Sequence, residues 1–365
     1  MEFTIVGEAR TPGLRWFRDG LWGTLRAHGH SFLEEPTRDI RLVLNFTDPA
    51  RPRPFRRKSQ GTFVASIVEL PEVPSEFLRA CYPILVRALS NLLIALIPGA
   101  GADGGARWEA HFVTLELGHY VEACRDDEVD FFERIYRRLA PLAQARLVIN
   151  NEFHPDLPPE LWGGNERTEK LKAAGRFLAS LNLLPAPFPL EEILPPRDLL
   201  HVKRLYGLGG LSYGNLSVRE DAERFWMSAS GVDKGNLQVI GRDILLVKGY
   251  DAQRNVILLS VPPHIEPRRV SVDAIEHWMI YREHPEVGAI IHVHAWMEGI
   301  PVTTVNYPCG TWELAVEVAE LVRRAPDPAR AVIGLRNHGI TVTGRDLDDI
   351  MERLRGRVIP QVPMV

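Results

Sequence analysis

Apolar and polar positions change period several times along this chain, and each change predicts an element. The clearest case is residues 271–296. Val272, Ile275, Met279 and Ile280 recur at roughly helical spacing. Ser271 reads as the helix N-cap, and Asp273 puts a negative charge in the first turn, where the helix dipole favours it. Pro285 biases His284 away from the α region, so the helix should stop near Glu283. Residues 289–295 then form an apolar run of strand length. Farther on, residues 331–344 read as two β-like runs around Asn337-His338-Gly339, where Gly339 can relax the backbone. Residues 216–219, 225–229, 243–247 and 256–261 read as strands, and 314–324 and 346–355 as helices.

The first half has a different rhythm. Residues 39–46 and 62–70 alternate like strands and are expected to form an antiparallel pair, joined by a proline-rich basic loop. Residues 76–97 read as one long apolar helix with a kink at Pro83. Residues 108–124 predict a bent strand or a hairpin at Gly118, residues 128–140 a helix, 145–153 a strand and 167–181 a helix. The proline-rich stretch 183–196 is the clearest linker in the chain. The expected organisation is an α+β domain over residues 1–190, serving as scaffold, dimerisation unit or lid, followed by a second domain over residues 191–365.

Candidate chemistry sits in the second domain. Side chains i and i+2 of a strand share a face, so His292 and His294 point the same way with Cα atoms roughly 6.5–7 Å apart. Two such imidazoles can converge on one metal ion, and His338 can supply a third nitrogen. Three histidines leave a tetrahedral ion one open position, the pattern of a catalytic rather than a structural site. A second His-x-His, His28 and His30, surrounds a glycine in a polar stretch and reads as an exposed loop. The glycine-rich residues 207–215 lack the third glycine of a dinucleotide fingerprint. A loop whose amides cradle a phosphate or carboxylate is the better use of them.

From Arg204 to about Leu354 the chain resembles the class II aldolase/adducin family. Gly214-Asn215-Leu216-Ser217-Val218-Arg219 is similar to one substrate loop of that family and Ser230-Gly231 to another. Asp273, His277, His292 and His294 fall at the family spacing of acid, helix histidine and two metal histidines. Asn337-His338-Gly339 is similar to the motif of the third. The resemblance implies an α/β/α domain with a largely antiparallel central sheet. It also implies a divalent ion on His292, His294 and His338, with Asp273 and His277 catalytic and Gly214, Asn215, Ser230, Gly231 and Ser271 binding substrate. Zinc is the expected ion, though manganese, iron or cobalt would fit three imidazoles. Two departures stand out. Val272 replaces the second serine of a phosphate-binding pair, and the segment between His294 and Gly310 is short where family aldolases carry a proton-donating tyrosine.

The implied activity is aldolase-type carbon–carbon cleavage or formation on a small hydroxy-carbonyl compound, a sugar phosphate being one option. Epimerase, dehydratase or decarboxylase chemistry could use the same site. The alternative of another class is a non-catalytic, adducin-like assembly domain. The family also implies a homo-oligomer, a tetramer by resemblance.

Composition adds little. The chain has 365 residues and a formal net charge of −4, too mild to favour nucleic acid or an anionic membrane as partner. Cys81, Cys124 and Cys309 have no metal-type spacing and read as buried or free thiols of a reducing compartment. No signal peptide or membrane span is read, so the expected location is cytoplasmic.

Overall fold

The structure is a computed structural model that describes residues 1–100, 106–115, 118–125, 127–181, 183, 192–205 and 214–365. Most of the linker read at 183–196, and the glycine-rich residues 207–213, lie outside the described residues. The chain divides into two compact units, residues 1–144 with 188–202 and 364–365, and residues 145–187 with 203–363. This differs from the expected boundary near 190, because residues 145–187 belong to the second unit.

The first unit is built from β1 (Glu2–Val6), α1 (Pro12–Ala27), β2 (Ser31–Phe32), β3 (Leu42–Phe46), β4 (Phe63–Glu69), α2 (Phe77–Arg87), β5 (Leu92–Ala100), β6 (Ala106–Thr114), β7 (His119–Ala123) and α3 (Glu128–Gln144). Its sheet has the order β2-β1-β3-β4-β5-β6-β7. Helix α1 begins at Thr11, whose hydroxyl accepts from the Leu14 amide, with proline in the first turn. Its buried Phe17, Leu21 and Leu25 share one core with Phe131, Ile135 and Leu139 of α3.

Three expectations for this unit are corrected. Strands β3 and β4 pair in parallel, not antiparallel. Residues 47–62 make a crossover from the end of β3 back to the start of β4 rather than a hairpin. The long helix read at 76–97 is a helix followed by a strand: α2 ends at Arg87 and β5 begins at Leu92. Leu89 takes a positive φ of 57° at the break. The run 92–97 is buried throughout, so it has no polar phase to reveal a period of two. His30 is buried rather than in an exposed loop, with Nδ1 3.0 Å from the amino terminus and Nε2 3.0 Å from the Tyr136 hydroxyl. The hairpin expected at 108–124 is present as β6 and β7.

The second unit contains β8 (Asn150–His154), α4 (Glu166–Ser180), β9 (Gly214–Arg219), β10 (Phe225–Ser228), β11 (Ile244–Asp251), β12 (Val256–Ser260), α6 (Ala274–Glu283), β13 (Ala289–Val293), α7 (Trp312–Arg324), β14 (Val332–Leu335), β15 (Gly339–Gly344) and α8 (Leu347–Leu354). Helix α5 (Pro196–Leu205) contains the point of division. The sheet order is β14-β15-β13-β9-β10-β11-β12-β8. Strand β8 runs parallel to β12, and the other pairings are antiparallel, as the sequence resemblance implied. Helices α6 and α7 pack together, as do α4 and α8.

Strand β13 is central and buried at every position, which is why it reads as a continuous apolar run. Its register sets the site. His292 lies opposite Asn215 of β9 on one side and Thr341 of β15 on the other. Directly opposed residues share a face, so these three side chains form one row across the sheet. Beside that row the backbones crowd. Gly214 has φ +122°, and a Cβ there would sit 2.1 Å from the His292 carbonyl oxygen. No helix among the described residues is long and apolar enough to cross a membrane.

Candidate metal centre and its acid–base surroundings

The three histidines converge. His292 stands on β13 and His294 in the bend just past its end, so the pair straddles the strand terminus rather than lying wholly within it. His338 comes from the turn between β14 and β15. That turn is held by the His338 amide donating to the Leu335 carbonyl at 3.0 Å and by Asn337 at φ +57°. Asn337 thus takes the left-handed conformation expected of the neighbouring glycine. Gly339 is needed for space instead, since a Cβ would approach the Val293 carbonyl to 2.3 Å. Ring centroids lie 5.0 Å apart for His292 and His338, 4.4 Å for His294 and His338, and 5.1 Å for His292 and His294.

The donor atoms suit a divalent ion. His292 Nε2 and His338 Nε2 are 3.2 Å apart. Two nitrogens bound to one tetrahedral zinc at 2.0–2.1 Å are separated by about 3.3 Å. His292 Nδ1 is 3.0 Å from the Ile340 carbonyl, which places its proton on Nδ1 and leaves Nε2 as a lone pair facing inward. Burial first, then the neighbouring His338, hold the His292 pKa well below 6.5, and His294 is lowered well below 6.5 for the same two reasons. Neutral imidazole is the form that binds metal. Cys309 also reaches this point. Its Sγ is 2.9 Å from His338 Nε2, and donor atoms of His292, Cys309 and His338 all lie within 4.8 Å of one another. All three cysteines are free thiols, as their spacing implied, but spacing gave no sign that Cys309 lies beside the histidines.

Acidic and basic groups surround the histidines. Asp273 is buried and is the N-cap residue of α6, but its side chain makes no capping bond. Its Oδ2 accepts from Asn215 Nδ2 at 2.6 Å. Ser271, expected as the N-cap, instead lies two residues earlier, its amide bonded to the Ser228 carbonyl. One turn on, His277 is fully buried with Nδ1 2.7 Å from Ser217 Oγ, which is 2.8 Å from the Tyr281 hydroxyl. Burial pulls the His277 pKa down to about 3, against the attraction of Asp273.

Two further groups escaped the sequence reading. Glu276 is buried on α6, and Thr341 Oγ1 donates to its Oε1 at 2.6 Å. Burial, then the nearby Asp273, raise its pKa from 4.5 to about 8. Lys234 is buried in the turn after Ser230-Gly231, and burial lowers its pKa to about 8 while Asp233 and Asp273 pull it up. Its charge also bears on His292 and His294. The structure therefore brings Asn215, Asp273, Glu276, His277, Lys234 and the histidines into one region. Ser230 and Gly231 are exposed, with Gly231 at φ +69°. A signal for Glu276 was present, since it lies three residues after Asp273 on the same helix face. A lysine in a polar turn gives no such sign.

The family model described as Class II Aldolase and Adducin N-terminal domain matches residues 199–297. A methylthioribulose-1-phosphate dehydratase of Klebsiella pneumoniae (strain 342) is 26% identical over 174 residues, covering 39% of this chain and 79% of the relative. A 3-oxo-tetronate 4-phosphate decarboxylase of Haemophilus influenzae is 28% identical over 181 residues, covering 44% of this chain and 79% of the relative. Among solved structures, an L-fuculose 1-phosphate aldolase is 19% identical, with 52% of this chain and 80% of that chain covered at a TM-score of 0.35. The likeness to the class II aldolase/adducin family thus lies in the C-terminal part of this chain, where residues 199–297 match the family model.

Proposed function

We propose that the second unit is a metal-dependent lyase that breaks a bond next to the carbonyl of a small hydroxy-carbonyl compound. The observation that carries this reading is the convergence of three imidazoles beside a buried carboxylate held by Asn215. His292, His294 and His338 would hold the ion, which supplies Lewis-acid stabilisation of negative charge on a carbonyl and an adjacent hydroxyl oxygen. Zinc suits this donor set.

The protein's own groups divide the proton work. Asp273 is the base: its Oδ2 is oriented by the Asn215 amide, while its Oδ1 has no hydrogen-bond partner among the described residues and can take a substrate proton. Glu276, protonated near neutral pH, is the neighbouring acid. A carboxyl group that burial keeps protonated beside a carboxylate with an open oxygen forms an acid–base pair. With a pKa near 3, His277 stays neutral and serves as a hydrogen-bond partner of Ser217 rather than as a proton carrier. Lys234 supplies positive charge against Asp273.

Dehydration is the reaction we favour over carbon–carbon cleavage. It needs both a base for a carbon-bound proton and an acid for the departing hydroxyl, which is the pairing Asp273 and Glu276 offer. The dehydratases among the relatives support it. The test is incubation of metal-loaded protein with phosphorylated ketoses and 3-oxo acids, with products followed by NMR. Loss of water is expected. Release of an aldehyde or carbon dioxide would replace dehydration by aldol cleavage or decarboxylation, and no turnover of any compound would overturn the enzyme reading.

A further inference from the structure

The segment joining β13 to α7 ends in Pro308-Cys309-Gly310-Thr311, and its geometry is tightly fixed. The Thr311 hydroxyl donates to the Pro308 carbonyl at 2.7 Å, and the Val148 amide donates to the Gly310 carbonyl at 2.7 Å. Gly310 has φ +72°, and a Cβ there would press on Val272 at 3.0 Å. The same Thr311 caps α7 by accepting from the Leu314 amide. Cys309 thus sits between two anchored residues, and the turn delivers its sulfur to the imidazoles.

Three donor atoms meet at one point. His338 Nε2 is 3.2 Å from His292 Nε2 and 2.9 Å from Cys309 Sγ. His292 Nε2 is a lone pair, because the ring proton is committed to Ile340 on the opposite nitrogen. A cation at that point satisfies all three donors at once. Thiolate and imidazole together are donors of zinc and cobalt sites.

We infer that Cys309 is a metal ligand, joining the imidazoles as a thiolate donor to the same ion. This goes beyond the three-histidine site and rests on the reading that those histidines hold a divalent ion. It gives the site a sulfur donor from a segment whose sequence has no metal-type spacing, and a substrate oxygen would then be taken by expansion from four to five ligands. Sequence distance concealed it, since Cys309 lies 15 residues after His294 and 29 before His338.

The experiment is titration of the full chain with Co(II), followed by absorption spectroscopy, in wild type, Cys309→Ser, Cys309→Ala and His292→Ala. Wild type should show visible ligand-field bands together with near-ultraviolet thiolate-to-cobalt charge transfer. Both cysteine variants should keep the ligand-field bands and lose the charge transfer. Their cobalt affinity should fall at least ~10-fold, because loss of even an outer-shell partner costs about 10–100-fold. His292→Ala should lose both features. Ligand-field bands without charge transfer in wild type would overturn Cys309 as a ligand and leave the histidine site standing. Charge transfer that survives in Cys309→Ala would assign the sulfur to another cysteine and equally overturn it. Failure of wild type to bind cobalt would overturn the metal reading itself.

Discussion

Asn215 Nδ2 donates to Asp273 Oδ2 at 2.6 Å, joining the first residue after Gly214 on β9 to the start of α6. The bond orients the carboxylate without using its other oxygen. Asp273→Asn should therefore keep the fold and the metal while losing turnover by about 10²–10⁴-fold, the usual worth of general acid–base catalysis. Its melting temperature should change little, because the native side chain caps no helix amide. Steady-state kinetics on fully metallated protein decide the point. Wild-type turnover in the variant would remove Asp273 from the mechanism.

Metal content should follow the imidazoles. Elemental analysis of purified wild type is expected to give one divalent ion per chain. His292→Ala, His294→Ala and His338→Ala should each fall well below that ratio. Equal metal in wild type and His294→Ala would exclude His294 as a ligand, although its ring centroid lies 4.4 Å from that of His338.

Gly214 is a backbone requirement of the same site. Its φ of +122° is reached by glycine, and an added Cβ would meet the His292 carbonyl at 2.1 Å. The conformational strain alone costs about 1–3 kcal/mol. Gly214→Ala should lower the denaturant midpoint by at least that much and weaken metal binding, because β9 must move away from β13. A variant with unchanged midpoint and unchanged metal affinity would contradict this.

Much of the second unit was legible because its signals are local. Pro285 ends α6, and β13 lies where its apolar run lies. His292, His294 and Asn337-His338-Gly339 carry their pattern in short spacings. What was missed depends on contacts distant in sequence. Cys309 joins the histidines through a turn pinned by Val148 and Thr311. Lys234 is identified by burial alone. In the first unit, the sequence of β5 resembles a helix continuation because every residue of 92–97 is buried, so no alternation shows. The direction of β4 is not fixed by its sequence, because a 16-residue connection, residues 47–62, allows a crossover as well as a hairpin.

The boundary near 190 has a consequence that can be measured. Strand β8 pairs with β12 along five residues, and α4 packs on β9 and α8. A fragment of residues 191–365 lacks both elements and exposes the edge of β12 and the buried Leu171, Ala174 and Leu178 partners. It should aggregate, whereas a fragment of residues 145–365 should stay in solution and bind metal. Size-exclusion chromatography distinguishes the two. A monodisperse, metal-binding 191–365 fragment would show that β8 and α4 are dispensable.

Glu276 sets a pH dependence whose sign follows from its burial. Its pKa is raised from 4.5 to about 8 in the folded protein. Below pH 4.5 the carboxyl is protonated in both folded and unfolded chains and has no differential effect. Between pH 4.5 and about 8 the unfolded chain releases the proton and the folded one retains it, so stability falls as pH rises. Above that range the folded carboxyl is ionised too, and the loss is complete. The slope is at most ~1.4 kcal/mol per pH unit, the value for one proton. Glu276→Gln keeps an oxygen to accept from Thr341 Oγ1 and has no proton to lose. Its stability relative to wild type should therefore be lowest in acid, grow through neutrality and level off in base. Urea unfolding of both proteins after metal removal, from about pH 4 to about pH 9, measures this difference directly. The same variant should lose turnover while Thr341→Val, which removes only the donated bond, should shift the Glu276 proton affinity further upward. A stability difference that is flat across the range would mean that Glu276 ionises as it does in the unfolded chain, and would remove it as the acid of the proposed pair.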